Sequence, residues 1–281
     1  MLLKSDRKTR EHRNRKRRRE IEKIVTQIKQ FRDNSDSSEP HNMILEFGCG
    51  NGFQIPYLQE LGQVFSTDIY TSDEIRRLPN HTFCVSDIKN LPYRDGSFDI
   101  IFSNHVIEHL PDHESAFREL KRIAAGDCLF VFSLPTNIWL LLSLPSKYLG
   151  KISAFLQIVY KRKVKDGIQQ SLVNDDNAER LERESMLGNL PSEKDEAITF
   201  KKAFLPRGHG IYKQFGRCYR SFRIKAWSDF FRNFGFEILE TTPLLLYGPS
   251  ERPVIPTTAI FERTGICSSV LFVLQLKKEE K

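Results

Sequence analysis

Short apolar runs alternate with amphipathic stretches between residues 43 and 134. Five apolar runs are predicted as strands, and they are Met43–Phe47, Val64–Asp68, Thr82–Val85, Phe98–Ser103 and Cys128–Leu134. Three stretches between them are predicted as helices, and they are Gln54–Leu61, Ser72–Leu78 and Glu114–Ala124. Strands and helices that alternate at this spacing favour a parallel sheet with helices on both faces.

Further elements are predicted on both sides of this alternating core. Residues 7–31 contain no Gly or Pro and are predicted as a helix, whose second half carries an apolar stripe. The stripe consists of Ile21, Ile24, Val25 and Ile28. Towards the C-terminus a helix is predicted over Ser221–Phe234, and strands are predicted over Phe236–Thr241 and Ser269–Leu276. The expected fold class is α/β, with a doubly wound, Rossmann-like, mostly parallel seven-stranded sheet.

The same pattern divides the chain into four segments. They are a basic helical arm and linker (1–40), the alternating core (41–134), an insertion (135–220) and the C-terminal part of the core (221–281). The insertion is inferred because the strand–helix alternation stops after Leu134. We expect it to be partly helical and to lie over the core as a lid.

The net charge of +7 is concentrated at the N-terminus. Residues 1–19 contain ten Lys or Arg and two acidic residues, so the rest of the chain sums to −1. Three interpretations of this arm remain open: a solvated helix packed through its apolar stripe, a contact with anionic lipid, or a contact with nucleic acid. Nucleic acid is the least favoured, because no recognisable RNA-binding module accompanies the arm.

A glycine-rich turn is the strongest motif in the sequence. The strand over Met43–Phe47 leads into Gly48, Gly50 and Gly52 at alternate positions, and a helical stretch follows at once. Asp68 lies twenty residues beyond Gly48, at the end of the next predicted strand, where a carboxylate can accept hydrogen bonds from ribose hydroxyls. These residues predict a nucleoside site at the carboxyl edge of the sheet. The spacing differs from the dinucleotide fingerprint, which would need a glycine where Phe53 stands.

On these residues the chain resembles the class I S-adenosylmethionine-dependent methyltransferases, particularly the branch that acts on small molecules and quinone-type acceptors. The resemblance covers residues 42–134 and, more weakly, Trp227–Glu237. It implies S-adenosyl-L-methionine as the cofactor and assigns a role to each matching residue. The implied roles are a loop under the methionine part (Glu46, Gly48, Cys49, Gly50 and Gly52), ribose binding (Asp68), adenine binding (Asp87 and Ile88) and the floor beside the sulfonium (Asn104 with His105).

Three histidines are candidates for a catalytic base. Methyl transfer from a sulfonium needs no metal, but a hydroxyl acceptor needs a group to take its proton. His105 and His109 follow the fourth predicted strand, and His209 lies in a basic segment. His105 to His109 also fits the H-x-x-E-H zinc-peptidase pattern. Because Pro111 leaves the helix little length to hold that geometry, no metal is expected.

The insertion and the cysteines shape the remaining expectations. Residues 128–146 carry no charge but include two prolines, and the first of them are needed as a strand, so a transmembrane helix is not expected. The apolar segment that follows is either a lid or an element that meets lipid. Five cysteines without a C-x-x-C pair fit a reducing cytosol, and no signal peptide is recognised.

We therefore expect a cytoplasmic, peripherally membrane-associated enzyme that methylates a hydroxyl on a small or lipid-linked acceptor. The alternatives are a tRNA or protein methyltransferase that uses the arm, and a non-catalytic binding module.

Overall fold

The computed structural model describes residues 2–32, 42–144, 208–245 and 266–277, with side chains in the first helix described from residue 14 onwards. Its seven strands are β1 (Asn42–Phe47), β2 (Gly62–Asp68), β3 (Thr82–Val85), β4 (Phe98–Asn104), β5 (Ala124–Pro135), β6 (Phe236–Pro243) and β7 (Ser269–Leu276). They form one sheet in the order β3-β2-β1-β4-β5-β7-β6. Among these strands β7 alone runs in the opposite direction to the others, and it pairs antiparallel with β5 and β6. The predicted doubly wound, mostly parallel seven-stranded sheet is confirmed.

The helices predicted over Gln54–Leu61 and Ser72–Leu78 are shorter than the sequence pattern suggests, whereas the one predicted over Glu114–Ala124 has its predicted length and is shifted by one residue. The helices are α1 (Leu2–Arg32), α2 (Ile55–Leu58), α3 (Asp73–Arg76), a 3-10 turn (Ile107–His109), α4 (His113–Ile123), α5 (Phe215–Ser221) and α6 (Ile224–Asn233). Residues 137–144 are also helical. The helix predicted over Ser221–Phe234 is present as α6, but it begins three residues later than predicted, because Arg223 has an extended conformation (φ −68°, ψ 141°). Phe222 is fully buried at this break between α5 and α6.

Helix α1 belongs to the core of the protein through its second half. Ile21, Ile24 and Ile28 are at most 1% exposed and pack in one cluster with strand residues such as Ile44 and Val131. The predicted apolar stripe therefore covers one face of the sheet. The helix is also tied by polar contacts, since Lys23 Nζ donates to the Pro243 carbonyl at 2.8 Å.

The opposite face of the sheet is covered by α4 and α6, and its packing is mostly aromatic. The ring of Phe132 in β5 stacks on Phe231 of α6 with centroids 5.7 Å apart, and it meets Phe117 of α4 edge-on at 6.2 Å. Trp227 anchors α6 by donating from Nε1 to the Pro135 carbonyl at 3.1 Å. Both faces are thus closed by apolar packing, which leaves the strand ends as the place for a ligand.

The chain separates into two compact units. One consists of Met1–Leu141 with Gly208–Lys281, and the other is Leu142–Arg207. The division falls inside the predicted insertion (135–220). Most of that insertion, including the apolar and basic stretch after residue 144, lies outside the described residues. Among the described helices, none is both long and apolar enough to cross a membrane.

Candidate functional site

A cleft opens at the carboxyl ends of the parallel strands, with a volume of about 410 Å³. Its walls come from the ends of β1 and β2, the segment after β3 and the turn after β4. The lining residues are Phe47, Gly48, Thr67, Asp68, Ile69, Tyr70, Ser86, Asp87, Ile88, Lys89, His105, Val106, His109, Leu110, Pro111 and Asp112. The predicted nucleoside site and two of the predicted histidines therefore share one cavity.

The glycine-rich turn is shaped by positive φ angles and by close packing. Gly48 (φ +69°) donates its N–H to the Thr67 carbonyl at 2.8 Å, and a Cβ at this position would lie 2.3 Å from Cγ2 of Val106. Gly50 (φ +57°) has no atom within 4 Å of the place where its Cβ would be. Only glycine fits at Gly48, and Gly50 presents bare backbone to open space in which a ligand can lie.

The carboxylate of Asp68 is held in place at the end of β2. Gly50 donates its N–H to Oδ2 at 2.8 Å, and Tyr70 donates its N–H to Oδ1 at 3.1 Å. Each carboxylate oxygen accepts about two hydrogen bonds, so both oxygens keep capacity for a ligand. The bond from Gly50 also couples the orientation of this carboxylate to the glycine-rich turn.

The end of β3 supplies a second acid and an apolar surface. Asp87 accepts a hydrogen bond from the Lys89 N–H at 3.0 Å, and its other oxygen lies 3.3 Å from Lys89 Nζ. Ile88 is only 9% exposed and lines the cleft. This arrangement offers a carboxylate for an amino group beside an apolar surface for a flat ring.

Other residues that the resemblance assigns to the cofactor do not line the cleft. They are Glu46, Cys49, Gly50, Gly52 and Asn104. Glu46 is 2% exposed, and its Oε2 has no hydrogen-bond partner in the described part of the chain. Burial raises the pKa of Glu46 to about 8, with Arg17 of α1 opposing the shift and Asp68 adding to it. Burial likewise raises the pKa of the Cys49 thiol to about 12.

His105 begins the turn after β4 in a conformation that few residues adopt. Its φ is +57°, and its N–H donates to the Ser133 carbonyl at 2.9 Å. Its Nδ1 lies 3.5 Å from Glu108 Oε1, and its Nε2 lies 4.0 Å from Glu20 Oε1 of α1. Burial by itself lowers the pKa of His105, but the Glu108 and Glu20 carboxylates outweigh it and raise the pKa above its ordinary value. The contact from Glu20 was not predicted, because one acid in a highly charged helix carries no signal of its own.

The other two histidines meet beside Glu108. The rings of His109 and His209 have centroids 4.8 Å apart, and Trp139 packs edge-on against His209 at 4.7 Å. The H-x-x-E-H segment forms a 3-10 turn over Ile107–His109 rather than an α-helix. His105 precedes that turn, so the two histidines of the motif do not stand one α-helical turn apart as the zinc-peptidase pattern requires.

Comparison with known proteins agrees with this geometry. A family model described as a methyltransferase domain matches residues 45–132. Ajmaline N-methyltransferase from Rauvolfia serpentina is 29% identical over 127 residues, which are 41% of this chain and 43% of that protein. Malonyl-[acyl-carrier protein] O-methyltransferase from Serratia marcescens is 32% identical over 101 residues, which are 34% of this chain and 40% of that protein. The chain thus spans less than half the length of these curated relatives.

A solved structure extends the likeness in fold to nearly the whole chain. A methyltransferase from Thermotoga maritima superposes with a TM-score of 0.52 and covers 99% of this chain and 96% of its own, at 16% identity. At this identity, the likeness shows a shared fold alone. With the glycine-rich turn and Asp68 at the end of β2, the match identifies residues 45–132 as a methyltransferase domain of the class I, S-adenosylmethionine-dependent kind.

Proposed function

We propose that the protein binds S-adenosylmethionine in the cleft and transfers its methyl group to a hydroxyl of a small or lipid-linked acceptor. One observation carries the proposal: the Asp68 carboxylate is fixed at the end of β2 by the N–H groups of Gly50 and Tyr70. A carboxylate held in this way is ready to accept hydrogen bonds from two ribose hydroxyls without reorganising.

The rest of the cleft fits the other parts of the cofactor. Gly50 does not line the cleft, but it bonds to Asp68, which does, and its open backbone leaves room for the methionine portion. Ile88 and Asp87 offer an apolar surface and an acceptor for adenine. When bound, the cofactor supplies an electrophilic methyl group on its sulfonium. The work of the protein is to align the two reactants and to exclude water.

A hydroxyl acceptor is favoured by the histidines at one end of the cleft. Transfer breaks the sulfur–methyl bond, forms an oxygen–methyl bond and requires the hydroxyl proton to leave. His105 and His109 line the cleft and His209 touches His109, so one of these three residues takes the proton. The cleft wall beside them is apolar at Val106 and Leu110, which suits an acceptor with a hydrocarbon part.

The basic arm supports reversible docking on an anionic membrane. Residues 1–19 contain ten Lys or Arg and only two acidic residues. Each cation near an anionic bilayer contributes about 1 kcal/mol to the free energy of membrane binding. Docking of this kind would bring the cleft to a lipid-linked acceptor while the body of the protein stays at the cytoplasmic surface.

The test combines binding with an acceptor screen. Calorimetric titration with S-adenosylhomocysteine should give one site per chain. Radiolabelled methyl donor should then label a compound in a lipid or metabolite extract, and the label should be found on oxygen. Labelling of tRNA or protein instead would refute the acceptor class while leaving the methyl transfer intact.

A further inference from the structure

The geometry points to a divalent metal site formed by Glu108, His109 and His209 at one end of the cleft. One carboxylate oxygen and one ring nitrogen from each histidine lie within 4.8 Å of one another. Glu108 and His109 belong to the 3-10 turn after β4, whereas His209 comes from far along the chain. The two segments are joined by the Ile211 N–H, which donates to the Glu108 carbonyl at 3.1 Å.

Glu108 is the independent reason to expect a cation. The residue is 1% exposed, and neither carboxylate oxygen has a hydrogen-bond partner in the described part of the chain. Two ring nitrogens approach Oε1 of Glu108, namely His105 Nδ1 at 3.5 Å and His109 Nε2 at 3.9 Å. Both distances exceed the usual hydrogen-bond length of about 2.7–3.2 Å. A buried carboxylate that lacks hydrogen bonds is costly, and a cation bound between it and the two imidazoles would remove that cost.

The ligand set selects the kind of metal. Two imidazoles and one carboxylate suit a borderline transition dication such as Zn²⁺ or Co²⁺, whereas Mg²⁺ and Ca²⁺ prefer sets of oxygen ligands. Metal–ligand bonds of about 2.0–2.2 Å place tetrahedral ligand atoms about 3.5 Å apart, so the side chains would close by about 1 Å. The His109 side chain is 49% exposed and therefore has room for this adjustment.

The metal site also limits the chemical class of the methyl acceptor, and this inference rests on the proposed function. Three protein ligands leave coordination positions for water or substrate. His109 lines the cleft, so a metal on it would face the acceptor. A bound dication lowers the pKa of a coordinated hydroxyl and fixes its oxygen in space. A tetrahedral site with three protein ligands has one open position and can expand to a fifth when substrate binds. The acceptor class that suits this arrangement carries two neighbouring oxygen atoms, which would occupy the fourth and fifth positions.

The experiment uses the full chain after removal of any histidine tag and after dialysis against a chelator. Calorimetry with Zn²⁺, and absorption spectroscopy with Co²⁺, should report one site per chain, and Mg²⁺ should not compete at equal concentration. Glu108→Gln and His209→Ala should each weaken Zn²⁺ binding by at least about 100-fold, since even groups that only orient metal ligands contribute about 10–100-fold. His81→Gln is the matched control, because His81 bonds to the Leu78 carbonyl and does not line the cleft.

The outcomes separate the metal site from the proposed function. One Zn²⁺ per chain that is lost in Glu108→Gln and His209→Ala but kept in His81→Gln supports the site. No stoichiometric binding, or equal binding by His209→Ala and His81→Gln, overturns it. If Glu108→Gln does not fold by circular dichroism, His209→Ala and His109→Ala decide the question. S-adenosylhomocysteine binding is measured on the metal-free protein, so failure there counts against the proposed function alone.

Discussion

Replacement of Asp68 by alanine tests the cofactor site at the point where the geometry is most specific. The variant removes a carboxylate that accepts from Gly50 at 2.8 Å and from Tyr70 at 3.1 Å and that faces the cleft. Hydrogen bonds to a charged group are each worth about 1.5–3 kcal/mol. Asp68 is partly exposed to solvent, so we take the lower end for each of two ribose bonds. The expected loss of about 3 kcal/mol corresponds to about 100-fold weaker binding of S-adenosylmethionine.

Calorimetry with S-adenosylhomocysteine measures this loss of affinity directly, and two further variants serve as an intermediate case and a control. Asp68→Asn keeps one acceptor oxygen, so its affinity should fall between that of the alanine variant and that of the wild type. Asp229→Ala removes an acid on α6 that pairs with Arg232 and does not line the cleft, so its affinity should be unchanged. A folded Asp68→Ala protein whose affinity falls less than about threefold would show that Asp68 does not hold the ribose.

Three further predictions address the loop, the buried acid and the arm. Gly48→Ala should lower the free energy of unfolding in urea by about 2–4 kcal/mol, because the new Cβ would lie 2.3 Å from Val106 at a residue with φ +69°. Gly126→Ala is the control, since no atom lies within 4 Å of its Cβ, and its free energy of unfolding should change little. Glu46 has a folded-state pKa of about 8 against an ordinary 4.5, so the native state holds the proton more tightly and wild-type stability should fall by up to about 5 kcal/mol as pH rises between these values. Glu46→Gln should flatten that slope, and an identical pH profile for both proteins would contradict the assignment. Removal of residues 1–13, which contain five Lys or Arg, should reduce co-sedimentation with anionic vesicles at low salt, and an unchanged pelleted fraction would refute lipid docking.

The strands could be predicted from the sequence because each depends on a short local pattern. The bounds of β3 and β7 agree with their apolar runs, since turn-forming or polar residues flank both runs. β5 begins at Ala124, four residues before the predicted start, because Ala124 pairs with Phe98 and the register then shifts before Leu129. Gly126 and Asp127 are exposed in the first part of β5, where the register shifts, so the sequence there shows no apolar alternation that would predict a strand.

The meeting of the predicted cofactor residues at one edge of the sheet could be predicted for the same reason, whereas the position of His209 could not. Gly48, Asp68 and Asp87 stand at strand ends, so the topology alone brings them to one edge of the sheet. His209 lies next to His109 only because the chain comes back to the cleft after about 100 intervening residues, and no local sequence pattern predicts such a contact. The 3-10 turn was also hidden, because H-x-x-E-H matches a helical motif in spacing while Pro111 and the positive φ of His105 prevent the helix.

Helix α1 carries side chains that act on two residues of the candidate site. Arg17 opposes the raised pKa of the buried Glu46, while Glu20 Oε1 lies 4.0 Å from Nε2 of His105, which lines the cleft. Glu20 is itself buried at 3% exposure and accepts a hydrogen bond from Ser269 Oγ at 2.7 Å, which fixes it to β7. Because α1 is one continuous helix, the basic residues of the arm and the side chains that act on Glu46 and His105 belong to a single structural element.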